Sequence, residues 1–288
     1  MASIEWVERS ANLVTLQGLL SALLIVGGLL LLIGELWIAL PFATGHDYSL
    51  YMGAARSWVT GGGFYHSYQL TGPYAIVDSE ILYPPLSLWL LVPFMVLPPV
   101  LWWAIPLGAI AWCVLSWRPA SAAVGISLLL VCLPVGVAHF GLGLELVTTG
   151  NPGMWCAAFV AVGLRAGWAG PLVLIKPTLA PFAFVGLRRH PAAWLVGMAL
   201  VALGSLAVFP LWPDYVRALL NVQGGRDIWY TLGNWPAMLS QIVLWAGRRH
   251  VPAGRGNSSA ARRMPEGGEC LEPPEARQEG RRPEGLRL

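Results

Sequence analysis

The sequence predicts an all-α fold, a polytopic transmembrane helix bundle of about seven to eight spans. Three observations carry this. The 288 residues are 56% hydrophobic and 11% charged, with a mean hydropathy of +0.60. A soluble domain needs roughly a quarter charged residues to cover its surface. The chain also holds 15 tryptophans and 23 prolines; Trp favours bilayer interfaces, and Pro is better tolerated in spanning helices than in soluble ones.

The first span covers residues 13–34 and runs on to Leu40. It meets the requirement of about 20 apolar residues and exceeds the roughly 7–15 of a signal-peptide core, so it reads as an uncleaved span. Glu35 sits near its end, where a carboxylate reaches the interface. Residues 41–81 form a polar loop with short interfacial helices. "ILYPPLSLWLLVPFMVLPP" and "VLWWAIPLGAIAWCVLSW" follow, separated by Pro98–Pro99, which mark a tight hairpin. Residues 121–138 form another span, followed by the loop "HFGLGLELVTTGNPG", in which Glu145 is a surface charge. Residues 153–164 are short and cross only in part. Residues 167–186 have span length and carry Lys176 at the middle, with Arg188, Arg189 and His190 closing them. Residues 194–212 span again; 214–235 are polar, and 236–246 are a short apolar piece.

At Gly247 the composition breaks. Residues 247–288 lack Ile, Phe, Tyr and Trp and are built from Arg, Glu, Gly and Pro. Such a segment cannot bury enough apolar surface to fold. Two readings stay open: a disordered cytoplasmic tail, or a wrong-frame extension of a truncated gene product. Half of the 18 basic residues lie after Trp245, so the formal charge of +3 does not make the membrane body, residues 1–246, a nucleic-acid partner. Cys113, Cys132, Cys156 and Cys270 show no spacing for a metal site or a disulfide framework. Placing Arg188–Arg189 and Arg248–Arg249 in the cytoplasm puts the N-terminus inside and residues 41–81 outside. Arg118 and Arg165 then fall outside, against the rule.

The most polar-aromatic stretch is "GHDYSLYMGAARSWVTGGGFY", residues 45–65. Residues 47–58 read as a helix that opens with Asp and stops before "TGGGF". At about 100° per residue, Asp47, Tyr51, Ala54 and Trp58 share a face, and Arg56 lies about 180° from Asp47. The carboxylate is thus left unpaired beside aromatic rings, a combination that suits a sugar. It is equally the pattern of an Asp N-cap on an interfacial amphipathic helix. His66, Asp78 and Glu80 read either as site groups or as solvated loop residues.

The order of a first span, "HDYSLYMGAARSWVTGGGFYHS", "YPPLSLWLLVPFMVLPP", "TGNPG" and "LVLIKPTLAPFAFVGLRRH" resembles glycosyltransferase family 87, the polyprenol-phosphate-dependent mannosyl- and arabinofuranosyltransferases, over residues 10–245. The resemblance implies a GT-C-like bundle in the cell membrane with its active site at the extracytoplasmic face. The donor would be a sugar on a polyprenyl phosphate, mannose first among hexoses and pentoses, and the acceptor a lipid or glycan. Transfer would invert the anomeric centre, with Asp47 as general base. An acceptor hydroxyl needs a positioned base; a phosphate leaving group needs positive charge or donors more than an acid. The paired acids of a glycosidase are then unnecessary.

Lys176 is the leading candidate for the phosphate, because an ionisable group in mid-span is a functional-site hypothesis by default; the other reading is a lysine snorkelling to the interface. Tyr48, Tyr51, Arg56, His66, Glu80, Tyr83 and Asn151 complete the expected substrate-binding set. Tyr83 with Pro84–Pro85 also suits a loop-to-span turn, and Asn151 a simple turn. No cofactor is implied; Asp47, Asp78 and Glu80 could approach a divalent cation, but no ligand spacing demands one. Members of the family usually run longer, with further spans where this chain enters its tail. A non-enzymatic membrane carrier, with Lys176 and Glu35 along a polar path, and an inactive truncated remnant are the competing expectations.

Overall fold

Proline and glycine cut the apolar sequence into helices of unequal length. The computed structural model describes residues 2–76, 80–132, 142–224 and 232–248; for residues 2–14, 38–43, 142–143 and 145 it describes the backbone alone. Helix α1 (Ala2–Ala43) is continuous, with no proline before Pro41. Helices α2 (His46–Val59) and α3 (Ser67–Thr71) occupy the first polar loop. Residues 85–95 wind as a 3-10 turn, the short α4 (Leu88–Leu91) and a second 3-10 turn. Helix α5 (Val100–Trp117) starts after Pro98–Pro99 and ends at Arg118, whose φ is 49°. There follow α6 (Ser121–Cys132), α7 (Leu142–Thr148), α8 (Gly153–Ala166), α9 (Pro191–Ala207), α10 (Trp212–Leu220) and α11 (Trp235–Ala246). Tyr74–Ala75 and Val222–Gly224 pair as two short parallel strands, with Tyr74 opposite Val222.

The mostly helical architecture agrees with the all-α expectation. Among the described residues two helical stretches, Thr15–Trp37 and Val100–Trp117, are long and apolar enough to cross a membrane, or three if the pair Pro191–Ala207 and Phe209–Leu220, bent by 71°, counts as one span. Seven to eight were expected. Helix α8 shows why the count falls. It has 14 residues, and most of its side chains are buried within the protein. A helix of that length reads as a core element. By contrast Leu19, Leu23, Leu30 and Trp37 on α1, and Leu195, Leu203 and Leu206 on α9, are exposed. An apolar coat of this extent marks a membrane protein.

Residues 167–186 were expected as one span. They instead form two 3-10 segments, Gly170–Ile175 and Pro177–Phe184, that meet at Lys176. Pro171, Pro177 and Pro181 lack the N–H that an α-helix needs from its interior residues. The two segments fold against each other as a hairpin: Gly170 lies against Val185 and Ala183, and Gly186 against Gly163 and Gly167. Lys176 is the tip, and both arms return to the same end of the molecule.

That hairpin brings basic side chains of the chain to one end, Arg118 and Arg165 included. Helices α5, α8 and α11 start together and end together. At their starts, Trp102 donates its indole N–H to the Gly150 carbonyl at 2.8 Å. At their ends, Arg165 covers the Trp112 ring at 4.2 Å and donates to Ser116 at 2.6 Å, while the Ala120 amide donates to the Gly247 carbonyl at 2.8 Å. Arg118 and Arg165 therefore share one end with Arg188, Arg189 and Arg248, because the chain between Arg165 and Arg188 goes in and comes back. Most of the expected tail, residues 249–288, lies outside the described residues, as does Asp78.

Helix α1 joins α6 through a glycine notch. A Cβ on Gly125 would come within 2.6 Å of Leu24 Cβ, and one on Gly28 within 2.7 Å of Leu128 Cβ. Small residues of this kind let membrane helices approach closely. Gly125→Leu is expected to lower the unfolding midpoint in detergent by the equivalent of about 1–3 kcal/mol. Gly18→Leu on α1, where nothing lies within 4 Å, should leave it unchanged. Equal midpoints for the two variants would show that the notch is not packed.

Candidate functional site

The start of α2 is docked by its own backbone. The first amides of a helix lack intrahelical partners, and here they find them on the end of α7: Gly45 N–H donates to Thr148 O at 2.8 Å and Tyr48 N–H to Thr149 O at 3.1 Å. Gly45, not Asp47, is the N-cap, and no side chain caps this helix. Asp47 sits in the first turn, and its carboxylate is free of the capping role that composition allowed it. Its Oδ2 accepts from Thr149 Oγ1 at 3.0 Å and from Asn151 Nδ2 at 2.6 Å. Its Oδ1 accepts no hydrogen bond among the described residues.

Asn151 makes the turn that its sequence suggests and also does more. Its Oδ1 accepts from the Gly153 amide at 2.8 Å, which fixes the entry to α8. The same oxygen accepts from the Tyr83 hydroxyl at 3.0 Å and from Lys176 Nζ at 3.3 Å. Lys176 Nζ also donates to Asn234 Oδ1 in a short bond, and lies 5.2 Å from the Tyr83 ring centroid. The ammonium is thus turned into a polar cluster with Asp47 rather than out along a lipid face. A Cβ at position 153 would meet Asn234 Oδ1 at 2.5 Å and Leu146 Cδ2 at 2.9 Å, so only glycine fits between the two asparagines.

Aromatic side chains wall the cluster. Tyr48 packs on Trp103 and Trp102, with ring centroids 5.2 and 5.8 Å away. Tyr51 is buried edge-on to Tyr83 at 4.8 Å. Tyr65 donates its hydroxyl to the Tyr83 carbonyl at 2.8 Å. Burial first, then the neighbouring Tyr215 and Asp214, push the Tyr65 phenol far above its ordinary range, so it stays a donor and holds the turn that presents Tyr83.

Asp47, Tyr48, Tyr51, Tyr83, Asn151 and Lys176 are therefore brought together. Arg56 is not: it is exposed on the far side of α2, as the helical phase predicts. His66 and Glu80 form a separate group, in which His66 stacks on Tyr68 at 5.3 Å and Tyr68 donates to Glu80 Oε1 at 3.3 Å. Glu35 is buried in α1, at 8% exposure. No three His, Cys, Asp or Glu side chains gather as a metal site among the described residues.

Thr149 and Asn234 were not anticipated. Asn234 carried a signal: Gly233-Asn234-Trp235-Pro236 echoes Gly150-Asn151-Pro152, and each asparagine precedes a helix with proline at its start. The positive ends of α8 and α11 thus begin beside Lys176, an arrangement favourable to an anion.

No family model, no curated protein and no solved structure matches the chain.

Removing the Asn151 side chain strips Asp47, Tyr83 and Lys176 of a shared partner. Asn151→Ala is expected to destabilise the protein by about 1–3 kcal/mol, measured by denaturant unfolding in mixed micelles. An unchanged stability would mean that these bonds do not form.

Proposed function

We propose that the chain is a membrane glycosyltransferase that moves a sugar, mannose first among the candidates, from a polyprenyl phosphate to a lipid or glycan hydroxyl. The reading rests on one observation: the Asp47 carboxylate is tethered to the Lys176 ammonium through Asn151 while its Oδ1 stays uncommitted. The acceptor hydroxyl would give its proton to Oδ1 as its oxygen attacks the anomeric carbon. The bond from that carbon to the phosphate oxygen breaks, and its electron pair leaves with the polyprenyl phosphate. A single displacement inverts the centre. Lys176, aided by the starts of α8 and α11, would bind the phosphate and stabilise the charge it gains.

Two further features favour this reading. An apolar groove of about 480 Å³ is lined by Leu86, Trp89, Phe159, Ile175, Leu200 and Leu203. Ile175 immediately precedes Lys176, so a prenyl chain in the groove would bring its phosphate to the ammonium. By the positive-inside rule the basic side chains collected at the opposite end of α5, α8 and α11 would face the cytoplasm, and Asp47 the extracytoplasmic side. A carrier would distribute its polar groups through the mid-membrane; here Asp47, Tyr83, Asn151, Lys176 and Asn234 gather in one cluster. Within this proposal the body is a GT-C-like bundle whose count of about seven to eight spans includes short and bent segments.

The purified chain should transfer sugar from polyprenyl-phosphate mannose or polyprenyl-phosphate arabinose to a glycolipid. Asp47→Asn should lower turnover by about 10²-fold or more with folding intact. Lys176→Met should weaken donor use. Equal turnover by Asp47→Asn and the parent, or no transfer by the parent from either donor, would overturn the reading.

A further inference from the structure

A second cavity lies away from Asp47. It has a volume of about 520 Å³ and is lined by Leu164, Phe184, Gly186, Arg188, Arg189 and Trp245, at the end where α5, α8 and α11 finish. Its chemistry is basic and interfacial. The Arg189 and Arg248 guanidiniums lie 4.7 and 4.2 Å from the Trp245 ring centroid. Arg248 Nη1 donates to the Trp245 carbonyl at 2.8 Å, which holds the pair in place. Arg188 and Arg189 are exposed, and neither makes an ion pair among the described residues, where the sole one joins Arg217 to Asp214 at 3.5 Å. The transferase reading gives these groups no task.

Uncompensated arginines around a cavity are an anion site; the surroundings identify which anion. Leu164, Phe184 and Trp245 supply apolar walls, and a Trp beside Arg is the combination found at headgroup depth. A free phosphate would need the charge but not the walls. A phosphate that carries acyl chains needs both, and basic pockets between membrane helices take such headgroups. We infer that this cavity binds the phosphate headgroup of an anionic phospholipid, with Arg188 and Arg189 on the phosphate and Trp245 against the glycerol and upper acyl region.

The site is independent of the proposed transfer reaction and is tested without it. The full chain would be placed in phosphatidylcholine nanodiscs doped with phosphatidylglycerol, and retained lipid counted by native mass spectrometry. The parent should retain phosphatidylglycerol in preference to phosphatidylcholine. Each arginine near an anionic headgroup is worth about a fivefold factor, so Arg188→Gln with Arg189→Gln should reduce retention by roughly 30-fold. Arg188→Lys with Arg189→Lys should keep most of it, and Arg217→Gln, outside the cavity, all of it. Equal retention by the Gln pair and the parent would overturn the assignment. So would displacement of the lipid by soluble glycerol phosphate at matched concentration, which would make this a free-anion site.

Discussion

The hydrogen bond from the Asn151 amide to Asp47 is the contact around which the functional end of the molecule is organised. At 2.6 Å it joins a neutral donor to a carboxylate, the stronger class of hydrogen bond. The opposite atom of the same amide accepts from Tyr83, Lys176 and the first turn of α8. One planar group therefore fixes a carboxylate, an ammonium, a phenol and a helix start relative to each other. Its two ends have opposite polarity, so it can hold an anion and a cation on either side without neutralising them by direct contact. That separation leaves Asp47 Oδ1 without a hydrogen bond from the described residues.

The proline-broken hairpin makes this contact reachable. A straight helix through residues 167–186 would carry Lys176 to mid-membrane, where an ionisable group is expensive. Three prolines deny it that path. The hairpin brings the lysine to the end where Asn151 and Asn234 already wait, and returns the chain to the basic end. The same detour collects Arg165, Arg188, Arg189 and Arg248 on one side. Polar chemistry at one end and basic anchoring at the other thus follow from a single local failure to form an α-helix.

Much of this was legible in the sequence, and the remainder was not for identifiable reasons. Helices α1 and α5 announce themselves by length and hydropathy. The phase of α2 correctly separates Asp47 from Arg56. Lys176 stands out as a charge in an apolar run. What failed was the inference from apolar length to a spanning helix: residues 167–186 are as greasy as a span, but backbone donors decide the conformation and proline removes them. Of the two readings open for Asp47, the cap does not hold, because Thr148 and Thr149 carbonyls satisfy α2's amides from 100 or so residues away along the chain. Such long-range pairings, like the bonds from Thr149 and Asn151 to Asp47, leave no periodic trace. The paired Gly-Asn turns did leave one, visible only when both are compared.

A double-mutant cycle tests whether Asp47 and Lys176 belong to one network. Unfolding free energies of the parent, Asp47→Asn, Lys176→Met and the double variant would be measured in mixed micelles. The two side chains share Asn151, so their effects should be non-additive, with a coupling energy of about 0.5–3 kcal/mol. Effects that add within about 0.3–0.5 kcal/mol would contradict the account.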